Sequence, residues 1–363
     1  MAHFLLCAGG TGGHLFPAQA LSEALQRRGH TVDLMTDERA ETYGVSFPAR
    51  KTHIVPSATF STRQPLKAIP SAWTIARGVM KAFGVMGRSK PAAIVGFGGY
   101  PTLPPLMAAK LRGVPIILHE QNAVLGRANA AMATSAKLIA TSFDSTDGIP
   151  SASNAIIVHT GNPVRAKVLA AARAPYTKVK PDKPFELLVF GGSQGARVFA
   201  DLVPGALEQF GEEARKRIRV TQQCRPEDIV RVREAYEAIG VAHDLGSFFV
   251  DMPERMAKAH LVVARSGAST VAELSAMGRP AVLVPYPHAV DQDQAKNGAR
   301  LEQAGGAVVT LQKNIGPVRL SQLLARLMDP KSDELERMAR ASKRAGRPEA
   351  VEQLAVEVEA TGS

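Results

Sequence analysis

Short apolar runs recur along the chain: HFLLCA, AAIVGF, VPIILH, KLIAT, AIIVHT, FELLVF, HLVVAR and PAVLVP. Longer segments of helical character separate them, and that alternation predicts parallel sheets covered by helices on both faces. One junction occurs twice. LLCAGGTGGH near the amino terminus runs from strand through a glycine turn into a helix start, and LLVFGGSQGA at residues 187–196 repeats it midway. The expected fold class is therefore α/β, with two Rossmann-like domains in tandem. TGNPVRAKV reads as the crossing between them, and the Lys/Pro-rich APYTKVKPDKP as a surface loop.

At 363 residues, 45% of them hydrophobic, the chain is long enough for two buried cores. Its two cysteines, Cys7 and Cys224, form no Cys-x-x-Cys pair. That argues against a disulfide scaffold or a cysteine zinc site and fits a reducing compartment. The first residues lack a basic segment followed by an apolar one and a cleavage site, so no signal peptide is expected. No run of about 18 apolar residues predicts a membrane-spanning helix. The sequence reads as soluble and cytoplasmic.

Charge changes this picture. The net charge is +11, and from Thr42 to His119 ten Lys or Arg residues occur with no Asp or Glu. Such a footprint suits a polyanion, either nucleic acid or an anionic membrane surface, and a solvated basic face carries the same signature. Inside this window, PLKAIPSAWTIARGVMKAFGVMGRSKP places Ile69, Ala72, Trp73, Ala76, Met80 and Phe83 at helical spacing among Lys67, Arg77, Lys81, Arg88 and Lys90. Apolar stripes of this period usually face a core. The absence of acids and the presence of the chain's single Trp favour an interfacial helix instead.

A glycine-lined strand-to-helix turn lets backbone N–H groups approach an anion, and the helix dipole adds attraction for phosphate. Tight packing of helix on strand would use the same residues. The first turn, GGTGGH, is not the dinucleotide pattern Gly-x-Gly-x-x-Gly, and only the ill-placed Asp33 and Asp37 follow where a ribose would need an acid. His14 alone reads equally as a packed helix-start side chain.

The combination is more specific. GGTGGHLFPA, GFGGYPTLPP, HEQNAVLGRAN, TGNPVR, FGGSQGA, RSGASTVAEL and PHAVDQDQAKNG occur in that order. Together they resemble the UDP-N-acetylglucosamine–N-acetylmuramyl-(pentapeptide) pyrophosphoryl-undecaprenol N-acetylglucosamine transferase family over nearly the whole chain, least over residues 46–90 and after about 310. The resemblance implies the GT-B fold, two Rossmann-like domains with parallel sheets facing a central cleft. An acceptor and membrane-facing domain would span residues 1–162 and a UDP-sugar domain 163–340, with a carboxy-terminal helix at about 341–363 packing back on the first.

The resemblance also implies roles. Glu273 would hold the ribose hydroxyls, since a carboxylate accepts well from two vicinal hydroxyls. The helix start Ala268, Ser269, Thr270, Val271, Ala272 would face the nucleotide or sugar with its N–H groups. Ser193 and Arg165 would meet the diphosphate, Phe249 the uracil through its backbone, and Asn122 and Gln294 the sugar hydroxyls, with Asp291 a secondary candidate. His14 would be the base, with Thr11, Gly12 and Gly13 at the acceptor diphosphate or donor edge. Each residue also has an ordinary reading: Glu273 as a helix-start acid, Arg165 as a linker side chain.

The implied reaction is inverting transfer of N-acetylglucosamine from UDP to the C4 hydroxyl of the muramyl sugar of lipid I, giving lipid II in peptidoglycan synthesis. No cofactor or metal is expected, and nothing resembles an Asp-x-Asp metal site. The implied partners are UDP-N-acetylglucosamine, lipid I and the anionic cytoplasmic face of the cell membrane, met peripherally, with no nucleic acid and with room for contacts to other cell-wall synthesis proteins. The competing readings are a UDP-sugar 2-epimerase of the same architecture, an oxidoreductase, which would need the missing fingerprint, and a non-catalytic lipid-carrier module, which leaves the donor constellation unexplained.

Overall fold

Strand pairing in the computed structural model, which describes residues 1–9, 11–39, 47–58, 68–192 and 195–363, is parallel throughout both sheets. The chain divides into two compact units, Met1–Arg165 with Pro348–Ser363, and Ala166–Arg347.

In the first unit the strands are β1 (His3–Cys7), β2 (Thr31–Thr36), β3 (Lys51–Ile54), β4 (Ala93–Gly96), β5 (Ile116–Glu120), β6 (Leu138–Thr141) and β7 (Ile156–His159). Their order is β3-β2-β1-β4-β5-β6-β7, a doubly wound sheet that reverses direction between β1 and β4. The helices are α1 (Gly12–Arg27), α2 (Ala68–Ser89), α3 (Leu103–Arg112) and α4 (Arg127–Met132). Successive side chains of a strand point to opposite faces. Phe4 and Leu6 of β1 therefore join one buried cluster with Leu21 and Leu25 of α1, while Leu5 and Cys7 join another with Val85 and Met86 of α2 and Leu106 of α3. Because helices cover both faces, the strand is apolar on both from Phe4 to Cys7, which is why it reads as a continuous run.

The second unit repeats the plan with α5 (Ala166–Ala171), β8 (Phe185–Phe190), α6 (Arg197–Glu208), α7 (Glu212–Lys216), β9 (Ile218–Gln223), α8 (Ile229–Ala238), β10 (Ala242–Gly246), α9 (Met252–Lys258), β11 (Leu261–Ala264), α10 (Ala268–Met277), β12 (Ala281–Leu283), α11 (Asp293–Gln303), β13 (Ala307–Val309), α12 (Pro317–Leu327) and α13 (Glu334–Ala345). The order β10-β9-β8-β11-β12-β13 places its reversal between β8 and β11.

The last helix, α14 (Ala350–Thr361), belongs to the first unit. Its Leu354 and Val358 are fully buried in the cluster of Phe4, Leu21 and Leu25. Arg28 reaches Glu352 at 2.8 Å and Glu359 at 2.9 Å, and His30 meets Glu359 at 2.8 Å. The returning segment is shorter than the helix expected from about 341: α13 stays with the second unit, and Gly346 and Pro348 interrupt the helical run between them.

Two further expectations are resolved by burial. On α2 the packed face is Gly78, Ala82, Val85 and Met86, whereas Ala72, Trp73, Ala76, Met80 and Phe83 are exposed, Trp73 at 65%. Lys67 lies outside the described residues. Asp33 sits inside β2, 1% exposed, and pairs with Arg50 at 2.8 Å, His3 at 3.2 Å and His53 at 3.4 Å. Asp37 accepts from Arg39 at 2.8 Å and from the Tyr100 hydroxyl at 3.0 Å. Both acids thus hold the first unit together.

Candidate active site

Ligands of doubly wound sheets bind outside the carboxyl ends of the strands where the order reverses. In the first unit that point lies between the turn after β1 and the turn after β4. Thr11 is the extended N-cap of α1 (φ −148°, ψ 156°), and Gly12, Gly13 and His14 form the first helical turn. His14 N donates to Thr11 O at 3.1 Å, and a helix start leaves the N–H groups before it without acceptors in the helix. Gly12 is closed in by Phe16: a Cβ there would stand 2.9 Å from its ring. Gly13 is exposed.

His14 lies against the turn after β4. Gly98 and Gly99 have φ of +82° and +80°, a region that favours glycine, and a Cβ on Gly99 would sit 3.2 Å from His14 Cδ2. The glycines let the imidazole rest on bare backbone. Its Nδ1 is 2.9 Å from Gln121 Oε1, just past the end of β5.

The HEQN segment is organised from below by Glu120, which is 2% exposed. Its carboxylate accepts from Asn122 N at 3.0 Å, Asn122 Nδ2 at 3.1 Å, Gly126 N at 2.9 Å and Asn129 Nδ2 at 2.8 Å. Asn122 is thereby fixed in place. Arg165 packs on α1, its guanidinium 4.2 Å from the centre of the Phe16 ring.

In the second unit the corresponding point lies between the turns after β8 and β11. Ser193 in the first of these lies outside the described residues. After β11, Gly267 is the extended N-cap of α10, whose opening residues are Ala268, Ser269, Thr270, Val271, Ala272 and Glu273. The dipole and open N–H groups of this ten-residue helix favour an anion at its start. Ser269 Oγ is buried and has no hydrogen-bond partner among the described residues. Glu273 is half-buried on the second turn.

Arg265 fixes this turn from behind. It is 8% exposed and donates to Val284 O at 2.9 Å, Pro285 O at 3.0 Å and Gln312 Oε1 at 2.7 Å; burial holds its pKa below the usual guanidinium value. Gln294 opens α11: its carbonyl accepts from Ser266 Oγ at 2.7 Å and its Oε1 from Tyr286 N at 3.0 Å. Asp291 precedes it with φ +53°. Phe249, after β10, lies under Arg255, 4.1 Å from guanidinium carbon to ring centre, so its side chain packs on its own unit.

The sequence-expected residues therefore gather at two places. Thr11, Gly12, Gly13, His14, Asn122 and Arg165 belong to the first unit; Phe249, Ala268–Glu273 and Gln294 belong to the second. Sequence reasoning missed Gln121, His119, Glu120 and Arg265. The first three stand inside the quoted HEQN stretch, and their roles depend on contacts across the fold.

Two doubly wound units, each with a glycine turn at its reversal point, are the architecture of the GT-B class, to which many sugar-nucleotide glycosyltransferases belong. Residues 4–141 match the model of the Glycosyltransferase family 28 N-terminal domain, and residues 186–354 that of the Glycosyltransferase family 28 C-terminal domain. A UDP-N-acetylglucosamine–N-acetylmuramyl-(pentapeptide) pyrophosphoryl-undecaprenol N-acetylglucosamine transferase from Mesorhizobium japonicum is 52% identical over 99% of this chain and 95% of its own, and one from Agrobacterium fabrum is 51% identical over 98% and 93%. The solved MurG of Acinetobacter baumannii superposes with a TM-score of 0.79 at 28% identity, covering 99% of this chain and all of that one. The chain belongs to the UDP-N-acetylglucosamine–N-acetylmuramyl-(pentapeptide) pyrophosphoryl-undecaprenol N-acetylglucosamine transferase family. The UDP-GlcNAc 2-epimerase of Neisseria meningitidis shares the fold, with a TM-score of 0.65 at 14% identity and 98% coverage of both chains.

Proposed function

We propose that this enzyme transfers N-acetylglucosamine from UDP-N-acetylglucosamine to the C4 hydroxyl of the muramyl sugar of lipid I, with inversion at the anomeric carbon, giving lipid II. The observation that carries the reading is the imidazole of His14, held at the reversal point of the first sheet with its Nδ1 on Gln121. An inverting displacement needs a base for the acceptor hydroxyl and stabilisation of charge on the departing diphosphate. His14 Nε2 takes the hydroxyl proton as the C4 oxygen attacks, and the bond from the anomeric carbon to the diphosphate breaks. The N–H groups at the start of α10 would stabilise the charge that develops on UDP, and Ser193 and Arg165 are the further diphosphate contacts that the family resemblance implies.

Glu273 accepts from the ribose hydroxyls, and the Phe249 backbone meets uracil. Gln294 commits Oε1 to Tyr286, so its contact with the sugar falls to Nε2, alongside Asn122. Thr11, Gly12 and Gly13 admit the acceptor diphosphate.

The exposed stripe of α2, with Arg77 and Lys81 beside it and Met107 and Leu111 of α3 also exposed, supports peripheral docking on the anionic cytoplasmic face of the membrane, where lipid I is anchored. Among the described residues no helix is long and apolar enough to cross a bilayer.

Incubation with UDP-N-acetylglucosamine, with and without a water-soluble lipid I analogue, tests the reading. UDP release should require the acceptor, and His14→Ala should lower kcat by roughly 10²–10⁴-fold with donor affinity kept. Conversion of the free sugar nucleotide without acceptor would assign the epimerase chemistry instead.

A further inference from the structure

A neutral imidazole is a base at one nitrogen only, and which one is decided by the hydrogen bond at the other. Around His14 that decision can be traced to two backbone carbonyls, groups that only accept. The first is Gly161 O, 3.1 Å from His119 Nε2. His119 must carry a hydrogen on Nε2 to meet it. The ring is fully buried against Phe97, and burial pushes its pKa down to about 4, with the Gly161 carbonyl opposing and His14 adding to the depression. A neutral ring protonated on Nε2 has a bare Nδ1, and Gln121 Nε2 stands 2.9 Å from it.

The second carbonyl is that of His119 itself, 2.9 Å from the same Gln121 Nε2. An amide oxygen turned that way would face a carbonyl oxygen and a bare ring nitrogen. Gln121 therefore directs its NH₂ at His119, one hydrogen to each acceptor, and its Oε1 at His14 Nδ1. Oε1 only accepts, so His14 Nδ1 carries the hydrogen.

We propose that His119 and Gln121 are positioning residues that hold His14 as the Nδ1–H tautomer and so leave Nε2 as its proton-accepting atom. The proposal rests on His14 being the base. The chain orients and does not conduct: an amide cannot pass a proton on, and His119 stays neutral where it is buried. The proton taken at Nε2 leaves from the side on which it arrived, while Oε1 continues to accept from Nδ1 of the imidazolium.

NMR of the full chain carrying isotope-labelled histidine reads the tautomer of His14, assigned by its loss in His14→Ala. The wild-type protein should show hydrogen on Nδ1 and a bare Nε2. Gln121→Met, which keeps volume and removes the acceptor, should redistribute the hydrogen between the two nitrogens. Its kcat should fall roughly 10–100-fold, as when the orienting partner of a metal-bound histidine is lost, while KM for UDP-N-acetylglucosamine stays within about twofold. A wild-type His14 with hydrogen on Nε2 would overturn the proposal without any variant. So would a Gln121→Met protein with tautomer and kcat unchanged while His14→Ala is inactive, an outcome that leaves the base assignment standing. Near-normal turnover by His14→Ala would remove the base reading itself, and the tautomer result would not rescue it.

Discussion

Among the groups through which acidification acts on the first unit, one is a fully buried ring. His119 is neutral in the fold with a pKa of about 4, against 6.5 for a free histidine, because burial penalises the imidazolium. Between those values the unfolded chain binds a proton that the folded chain refuses, so stability falls with falling pH. The contribution is fully present above about pH 6.5 and is lost as the pH drops towards 4. Integrating the two titrations gives a loss of about 2 kcal/mol between about pH 7 and pH 5, approaching about 3 kcal/mol at the folded pKa.

His119→Gln removes the titration and can still donate to Gly161 O. Thermal unfolding of both proteins at the two pH values isolates the effect, because Asp33, His53 and the other titrating groups act in each. The wild-type Tm should drop by roughly 4–8 °C more than that of the variant. Equal drops would refute the reasoning, since His119 would then accept its proton in place.

Glu273→Ala should raise KM for UDP-N-acetylglucosamine and weaken UDP binding by roughly 10–100-fold, the scale of one charge-assisted hydrogen bond lost in ground and transition state alike; unchanged UDP affinity in a calorimetric titration would reassign the ribose contact. Charge reversal at the exposed Arg77, Lys81 and Arg88 should remove at least about 3 kcal/mol of attraction to anionic vesicles, roughly 100-fold in co-sedimentation, and spare turnover of a water-soluble acceptor. Unchanged vesicle binding would move the docking surface elsewhere.

Most strands legible in the sequence lie inside the sheets, where β1, β4, β5, β8 and β11 each carry a run of at least three apolar residues, and the edge strand β7 was legible from Ile156, Ile157 and Val158 although both isoleucines are exposed. The runs that stood out omit β2, β3, β9, β10 and β13. The reason is physical: β2 carries the buried Asp33 within TVDLMT, while β3 and β10 lie at sheet edges and read KTHI and AHDLG, where exposure permits polar residues. The helical stripe on α2 was visible from spacing, but which of its two apolar faces is packed was not, because Gly78 and Ala82 on the buried side let neighbouring elements approach and carry little hydropathy of their own. At the site, the glycine turns and His14 could be read locally. The tautomer-setting contacts could not, since they join α1, the end of β5 and the residue Gly161 beyond β7.

The return of α14 has a consequence for how the protein is made. Residues 1–165 leave the ribosome first, yet the apolar face formed by Phe4, Leu21 and Leu25 is sealed by Leu354 and Val358, which follow the entire second unit. At about 5–20 residues per second, that face stays uncovered for roughly 10–40 s while the intervening chain is synthesised. The first unit cannot complete its core until α14 has been made. Chaperones that bind exposed apolar surface should therefore engage nascent chains over the amino-terminal unit until α14 emerges, and chains cut short before Pro348 should aggregate through it.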